Sequence, residues 1–214
     1  MSGAGAAMHR VYTDLARLTL EDSQVTALTG LAERVRELTE AVLYTDVEED
    51  ELAGVTAELA TLTERLKAAR REHPPVAVLG EDGTVRQLAS PVTGLLNPIA
   101  PPVRVEALPD GAGVRASFTL NVAYEGPPTF VHGGVSALIL DQVLGEAAAR
   151  NGRPSMTATL DMRYRRPTPH GVPLTAEAAV TRVDGRKSWA DGRIIDPQGR
   201  TTVEATGMFV LPRF

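Results

Sequence analysis

The sequence of 214 residues contains no cysteine, which excludes a disulfide scaffold, a thiolate nucleophile and a zinc or iron–sulfur site ligated by cysteine. Histidine is scarce as well, and the four histidines are scattered along the chain, so we expect no metal site. Aromatic residues make up only 4% of the chain, which leaves few side chains to stack on nucleic-acid bases. The formal net charge of −5 further disfavours a general nucleic-acid-binding protein.

Long apolar runs are missing too. No stretch reaches the roughly 18 apolar residues that a membrane-spanning helix needs. The N-terminal residues MSGAGAAMHRVY lack the hydrophobic segment of a secretory signal. Hydrophobic residues nevertheless make up 43% of the chain, which is enough for at least one buried core. We therefore expect a cytoplasmic protein without a membrane span and without a nucleic-acid partner.

Charge is distributed unevenly along the chain. Residues 1–73 contain 8 basic and 14 acidic side chains, whereas residues 150–200 contain ten basic and five acidic ones. The net negative charge thus conceals a positive excess in the C-terminal half. Such an excess most often marks a solvated surface, and an anionic ligand is the alternative interpretation.

The N-terminal third has the periodicity of two helices. Residues 24–43 and 48–71 carry apolar side chains at intervals of three and four residues, which is typical of amphipathic helices. Between them, Asp46 and Glu49 have the spacing of a capping box. The first stripe consists of Val25, Leu28, Leu31, Val35, Leu38 and Val42, and the second of Leu52, Val55, Leu59, Leu62, Leu66 and Ala69.

The two stripes favour an αα-hairpin that packs on itself or on its neighbour, with a partner-binding or oligomerising coiled coil as the alternative. A shorter helix is predicted around residues 8–20. The hairpin should end at His73, because a residue that precedes proline is pushed out of the helical region. We therefore predict a helical hairpin over 1–73, a proline-rich linker over 74–102 and a C-terminal domain over 103–214.

The linker has no sustained period and contains one candidate hairpin around 81–83. Beyond it the period of the apolar residues switches to two, which is typical of strands. One segment, 135–149, is apolar almost all round and predicts a helix buried on most sides. One buried helix among many antiparallel strands is an α+β design in which the sheet curves around the helix. The predicted strands span 103–108, 113–123, 156–165, 173–183, 187–195 and 201–211.

The informative residue of this helix is Asp141, an acid in the most apolar helix of the chain. An ionised carboxylate in such a place is paired, exposed in a cleft or retained for chemistry. If the helix begins at Gly134, Asp141 follows seven positions later and lies within about 20° of the same helix face. His132, Gly133 and Gly134 then occupy the helix N-terminus, where free amides and the helix dipole favour developing negative charge.

Two interpretations of this arrangement stay open on these grounds. A carboxylate facing a cleft near an amide-lined anion site is typical of a hydrolase. Alternatively, the glycines form only a tight turn, and Asp141 bonds a neighbouring arginine or backbone amide.

The segment TFVHGGVSALILDQVLGEAAA resembles the HGG motif region of the PaaI-like hotdog-fold acyl-CoA thioesterase family. The segment YEGPPTFVHGG is similar to the subgroup that includes the human thioesterase-superfamily proteins with an N-terminal extension. The resemblance covers about residues 90–214 and implies a hotdog fold, a curved antiparallel sheet wrapped around a central helix. It leaves the helical hairpin unexplained.

Three features carry the resemblance. The family acid follows the motif histidine by nine residues, which corresponds to Asp141. In the subgroup a threonine or serine follows the acid by sixteen residues, which corresponds to Thr157. A Tyr-x-x-Pro stretch, here beginning at Tyr164, closes the next strand. One departure is visible, because relatives often carry asparagine or glutamine at the position of Gly126. The neighbouring Glu125 is interpreted as a loop residue.

The resemblance implies a hydrolytic site. The backbone N–H of Gly133 or Gly134 would polarise the thioester carbonyl, and Asp141 would act as general base or as nucleophile. Thr157 would hold the water or the acid. His132 is expected to orient the loop or to help bind the thioester rather than to act as the base.

The resemblance also implies partners. The substrate is an acyl-CoA, no further cofactor is required, and the site lies at the interface of a homodimer or a dimer of dimers. Arginine suits the phosphates of coenzyme A because its guanidinium donates two parallel hydrogen bonds. The candidate contacts are Arg165, Arg166, Arg186 and Lys187, of which Arg165 and Arg166 point to opposite faces of a strand.

Two other functions compete with the thioesterase. One is a non-catalytic acyl-CoA-binding or scaffold protein whose acidic hairpin is the working surface. The other is a hotdog hydratase or dehydratase, which is disfavoured because the nearby histidine belongs to the HGG loop. The acyl group itself depends on packing near Phe130, Leu138 and Trp189 and is not predicted. His73 and His170 are expected to be loop residues.

Overall fold

The structure, a computed structural model, describes residues 20–72, 75, 77–79, 85–109, 111, 113–150 and 155–212. Except for Leu20, the short helix predicted around 8–20 lies outside these residues, and so does His73.

The predicted pair of N-terminal helices is present. Helix α1 spans Asp22–Tyr44 and helix α2 spans Glu49–Lys67. Helix α1 begins with a capping box between Glu21 and Gln24. The capping box predicted at Asp46 is wrong, because the N-cap of α2 is Glu48, and its side chain makes no capping hydrogen bond. The chain enters α2 through a turn in which the amide of Val47 donates to Thr45 Oγ1, and the helix begins two residues too late for that box.

Helix α1 packs on the segment that follows the helices. Ala32 is buried, and the guanidinium of Arg36 donates hydrogen bonds to backbone carbonyls of residues 94–100. Helix α2 differs, since none of its residues is buried within the described part of the chain. Helix α1 is therefore attached to this segment through Ala32 and Arg36, whereas the apolar stripe of α2 lies open. The carbonyls that Arg36 contacts belong to Gly94, Leu95, Asn97 and Ala100.

The described part of the proline-rich segment has little regular structure. Strands β1 (Ala77–Leu79) and β2 (Val85–Gln87) pair antiparallel, which agrees with the predicted hairpin, while its turn at 81–83 lies outside the described residues. After β2 the chain runs through turns that bury Leu88 and Ala100. These buried positions and the contacts of Arg36 attach α1 to the rest of the protein.

The C-terminal part forms one antiparallel sheet with the strand order β3-β4-β6-β7-β8-β5. A short 3-10 helix, Val122–Tyr124, and helix α3, Gly133–Ala149, connect β4 to β5. The pattern of alternating apolar residues therefore predicted every strand of this sheet. The strands are β3 (Arg104–Ala107), β4 (Val114–Thr119), β5 (Met156–Tyr164), β6 (Pro173–Asp184), β7 (Lys187–Ile195) and β8 (Thr201–Val210).

Helix α3 lies against one face of the sheet and contacts five of its strands, β4 to β8. Because the helix is apolar on almost every side, most of it is buried among alternate residues of the strands. Ile139, Leu140, Val143 and Leu144 are fully buried, and each contributes about 1.5–3 kcal/mol of hydrophobic stabilisation. The α+β hotdog architecture, a curved sheet around a central helix, is confirmed.

Strand β5 is an exposed edge. It pairs with β8 on one side only, and nearly all of its residues are exposed in the described structure. Met156 and Tyr164, at its two ends, are 63% and 55% exposed. A nine-residue edge strand with large apolar side chains exposed at both ends is unusual unless another chain covers it.

Candidate active site

The HGG loop forms the N-terminus of α3. The helix begins at Gly133, one residue earlier than assumed from the sequence, and His132 is its N-cap. The imidazole Nδ1 of His132 accepts a hydrogen bond of 3.0 Å from the backbone N–H of Gly134. His132 therefore engages the amide of Gly134 and caps the helix.

The amide of Gly133 is the free donor of the loop. Within the described residues its N–H has no hydrogen-bond acceptor. Its carbonyl accepts a hydrogen bond of 2.9 Å from the phenol of Tyr164, at the end of β5. That contact fixes the peptide plane that follows Gly133. The sequence contained Tyr164 only as part of a motif, and nothing in the pattern predicted this role.

Gly126 explains the departure from the family pattern. A Cβ at this position would lie 2.8 Å from the Cα of His132, which is too close for any side chain. The amides of Gly126 and His132 donate to Phe130 O and Tyr124 O, so the loop folds back on itself. An asparagine or glutamine does not fit here, and Gly126 instead allows the loop to pack directly against the motif histidine.

Glu125 and His170 hold the loop from outside. A carboxylate oxygen of Glu125 lies 3.0 Å from His170 Nε2, and the other oxygen accepts from the amide of Thr129. Thr129 has a positive φ of 70°, a strained conformation for a β-branched residue that these contacts stabilise. Both residues act as loop residues, as expected from the sequence.

Asp141 lies on a partly exposed side of α3, between the fully buried Leu140 and the half-buried Gln142. Its Oδ1 accepts a hydrogen bond of 2.9 Å from the hydroxyl of Thr157, near the start of β5. No arginine or lysine forms an ion pair with Asp141 in the described structure. The acid and the threonine predicted from the motif are thus in contact, and the carboxylate is not neutralised by a guanidinium.

The acid and the free amide are far apart in one chain. Asp141 follows Gly133 by eight residues in α3, which corresponds to about 12 Å along the helix axis. A carbonyl that accepts a hydrogen bond from Gly133 therefore lies well beyond the reach of Asp141 on the same helix. One chain brings His132, Gly133 and Tyr164 together at one end of α3, and Asp141 and Thr157 farther along it.

A second acid on α3 was missed. Glu146 accepts a hydrogen bond of 2.9 Å from the side-chain amide of Gln142, one turn earlier. Burial raises the pKa of the Glu146 carboxyl above its usual value, while the bond from Gln142 and the charge of Arg150 oppose the rise. The i, i+4 spacing of Gln142 and Glu146 was the available signal.

The four basic candidates for coenzyme A fall into two groups at opposite ends of β5. Arg165 follows Tyr164 and donates to Glu204, and this bond holds the pKa of the Glu204 carboxyl below its usual value. Arg166 and Arg186 donate to backbone carbonyls of Thr201 and Leu211. Arg186 and Lys187 lie near the other end of β5, which begins at Met156. Val210 of β8 pairs with Met156 on one side and with Lys187 on the other.

The residues considered for the acyl pocket are not enclosed in this chain. Leu138 is 38% exposed, and Trp189 stacks under the guanidinium of Arg182 at 4.3 Å. A depression of about 940 Å³ lies elsewhere, beside charged residues such as Glu177 and Arg193. The described residues contain no cluster of three or more potential metal ligands. None of the described helices has both the length and the hydropathy to cross a membrane.

Known proteins resemble this chain in sequence and in fold. The sequence model of the thioesterase superfamily matches residues 129–203, which include the HGG loop, Asp141 and Thr157. A crystal structure of a thioesterase superfamily protein is 39% identical, with a TM-score of 0.78, and the match covers 86% of this chain and 94% of that one. The chain belongs to the thioesterase superfamily.

Curated relatives in this superfamily match a shorter stretch. The acyl-coenzyme A thioesterase THEM4 of Xenopus laevis is 33% identical over 87 residues, 40% of this chain and 39% of the relative. The protein of the same name from Mus musculus is also 33% identical, over 37% of its length. The match therefore spans about two fifths of these relatives. The crystal structure that matches most of the chain extends the similarity into the N-terminal region.

Proposed function

We propose that this protein is an acyl-CoA thioesterase, which hydrolyses the thioester of an acyl-coenzyme A to a free acid and coenzyme A. The observation that carries the proposal is an open carboxylate, Asp141, held by Thr157 on the helix whose N-terminus presents the free amide of Gly133. The curated relatives named acyl-coenzyme A thioesterase support the substrate class.

The site is completed by a second copy of the chain. The roughly 12 Å along α3 between Gly133 and Asp141 prevents one chain from applying both groups to one carbonyl. The exposed edge strand β5 carries Thr157 near its beginning and Tyr164 at its end. If the β5 strands of two copies pair antiparallel, the Thr157 end of one strand lies beside the Tyr164 end of the other. In that dimer the amide of Gly133 and the carboxylate of Asp141 at each site come from different chains.

Hydrolysis at this site follows from the two groups. The Gly133 N–H donates to the thioester oxygen, and the positive end of the helix dipole stabilises the oxyanion as the carbonyl is attacked. In one route Asp141 takes a proton from water, whose oxygen bonds to the carbonyl carbon, and the C–S bond breaks with release of the coenzyme A thiolate. In the other route Asp141 itself attacks, and water then cleaves the resulting anhydride.

Thr157 and His132 are positioning residues in this proposal. The hydroxyl of Thr157 donates to Oδ1 and so leaves Oδ2 to act on water or on the carbonyl. His132 engages the amide of Gly134 and so leaves the amide of Gly133 as the oxyanion donor. Of the basic candidates, Arg166 and Arg186 are bonded only to neutral carbonyls, which makes them easier to redirect to a phosphate than Arg165.

A hydrolysis screen tests the proposal. Thiol release is measured for short, medium, long and aromatic acyl-CoAs with the wild-type protein and with Asp141→Asn. The proposal expects turnover of at least one acyl class and its loss in the variant. Tight binding of acyl-CoA without turnover of any class would instead establish the non-catalytic binding protein. A single turnover in ¹⁸O-labelled water tests the anhydride route, because attack of water on the Asp141 carbonyl carbon of the anhydride places labelled oxygen in Asp141, whereas the general-base route places all of the label in the free acid.

A further inference from the structure

Helix α2 presents an apolar stripe that the proposed thioesterase site does not use. Leu52, Leu62 and Leu66 are 41%, 49% and 60% exposed, and Val55 and Leu59 are half-buried. In the described structure no residue of α2 is buried. Five large apolar side chains in one row on an exposed helix indicate a surface that another helix covers.

The spacing of the stripe is that of a coiled-coil seam. The intervals from Leu52 to Leu66 alternate strictly between three and four residues, which places these residues at the a and d positions of two heptads. The seam is about 21 Å long. Two flanking threonines, Thr56 and Thr63, already donate their hydroxyls to the carbonyls of Leu52 and Leu59. Covering the stripe therefore leaves few polar groups without a partner.

The charges of α2 select the partner and its direction. The first turn contains Glu49, Asp50 and Glu51, and the last turn contains Arg65 and Lys67. A parallel copy would place the two acidic ends side by side and the two basic ends side by side. An antiparallel copy places each acidic end beside the basic end of the other helix.

One cross-helix pair fixes the register. Glu58 and Arg65 both occupy g positions, next to the seam, and in an antiparallel pair g positions face each other. Neither residue forms an ion pair within the described part of the chain. With Leu59 packed against Leu62 of the second copy, Glu58 faces Arg65 of that copy, and the two-fold axis repeats the pair.

We propose that α2 binds α2 of a second copy of this chain as an antiparallel pair, centred on Leu59 and Leu62 and joined by two Glu58–Arg65 ion pairs. This interface is separate from the proposed thioesterase site and does not depend on it. Its role is assembly, because a seam of two heptads is short and gains strength when the copies are already held together elsewhere.

Distance measurements between spin labels test the pair directly. The chain contains no cysteine, so Thr61→Cys and Asp50→Cys each introduce a single labelling site. The antiparallel pair predicts labels about 15 Å apart at position 61, near its centre, and about 32 Å apart at position 50, given a rise of about 1.5 Å per residue. Short distances at both positions would indicate a parallel pair. A long distance at position 61 would mean that something other than a second α2, such as the chain's own residues 1–19, covers the stripe. Either result overturns the proposal.

Variants of the seam and its charges supply the second test. Leu59→Glu should abolish the short distance at position 61, whereas Ala57→Glu, at the outer f position of the same helix, should preserve it. Glu58→Arg and Arg65→Glu should each weaken the pairing about tenfold or more, because two attractive contacts become repulsive, and the double reversal should restore it. Failure of the double reversal would refute the ion pair and the register. Thioester hydrolysis should be the same in all of these variants, so the outcome is independent of the proposed function.

Discussion

Helices α2 and α3 are both built on apolar side chains, and they differ in how many of their faces are apolar. Helix α3 is apolar on almost every side and is buried in the sheet, except at the side that carries Asp141. Helix α2 is apolar along one stripe and has no buried residue among those described. A helix that is apolar all round must be covered by its own chain, whereas a striped helix needs one partner. Asp141 is informative because it is an acid in a helix that is otherwise apolar. The stripe of α2 is informative because nothing in the described chain covers it.

The largest expected effect concerns Asp141, the acid in the otherwise apolar helix α3. Asp141→Asn should lower kcat about 10²–10⁴-fold without a loss of folding, since a neutral amide cannot accept the proton of water. Asp191→Asn is the matched control, because Asp191 also accepts a hydrogen bond from a threonine, Thr206. Steady-state kinetics of both variants check this, and an equal loss in the control would show that the effect is not specific to Asp141.

Truncation of leucines compares the two helices directly. Leu144→Ala in α3 should cost about 2–5 kcal/mol of the free energy of unfolding, because Leu144 is fully buried. Leu66→Ala in α2, where the leucine is 60% exposed, should cost less than about 0.5 kcal/mol in dilute protein. Denaturant unfolding provides both values. Equal costs would mean that α2 is covered within a single chain.

The hydrogen bond that holds the acid should have an intermediate effect. Thr157→Ala should lower kcat about 10- to 100-fold, since one hydrogen bond to a charged group is worth about 1.5–3 kcal/mol. Thr157→Ser keeps the hydroxyl and should retain most of the rate. If the serine variant were as slow as the alanine variant, the methyl group rather than the bond to Asp141 would be responsible.

The cap of α3 should contribute less. His132→Ala removes the acceptor for the amide of Gly134 and should cost about 1 kcal/mol of stability, whereas His132→Asn supplies another capping oxygen and should restore most of it. Thermal unfolding of the two variants measures the difference. Equal destabilisation would argue against the capping role.

The smallest effect is a pH dependence at Glu146. Burial raises the pKa of this carboxyl above 4.5, so the folded protein retains a proton that the unfolded chain has already released. Stability from this group is therefore complete below the unfolded pKa and is lost as the pH rises through the folded pKa. Glu146→Gln has no proton to release and should lack this decline. Melting temperatures between about pH 4 and pH 7 check this, and parallel curves for the two proteins would contradict it.

The sequence predicted those features that have a period or a motif spacing. Alternation defined the strands, and nine- and sixteen-residue intervals identified Asp141 and Thr157, which the structure brings together. Contacts to backbone carbonyls carry no sequence signature, so the docking of Arg36 and the bond from Tyr164 to Gly133 were not predicted. The capping box at Asp46 failed because a spacing alone does not determine where a helix begins.

Mixing two inactive variants tests most directly the claim that each site takes its amide and its acid from different chains. Gly133→Pro removes the amide N–H at the first position of α3, where proline fits and the extended His132 can precede it. When the Gly133→Pro protein is mixed with the Asp141→Asn protein and the subunits exchange, the mixture should recover about a quarter of the wild-type activity. Half of the dimers then contain one chain of each kind, and each of these dimers has one intact site. If both groups act from the same chain, every site in the mixture lacks one of them, and no activity should return.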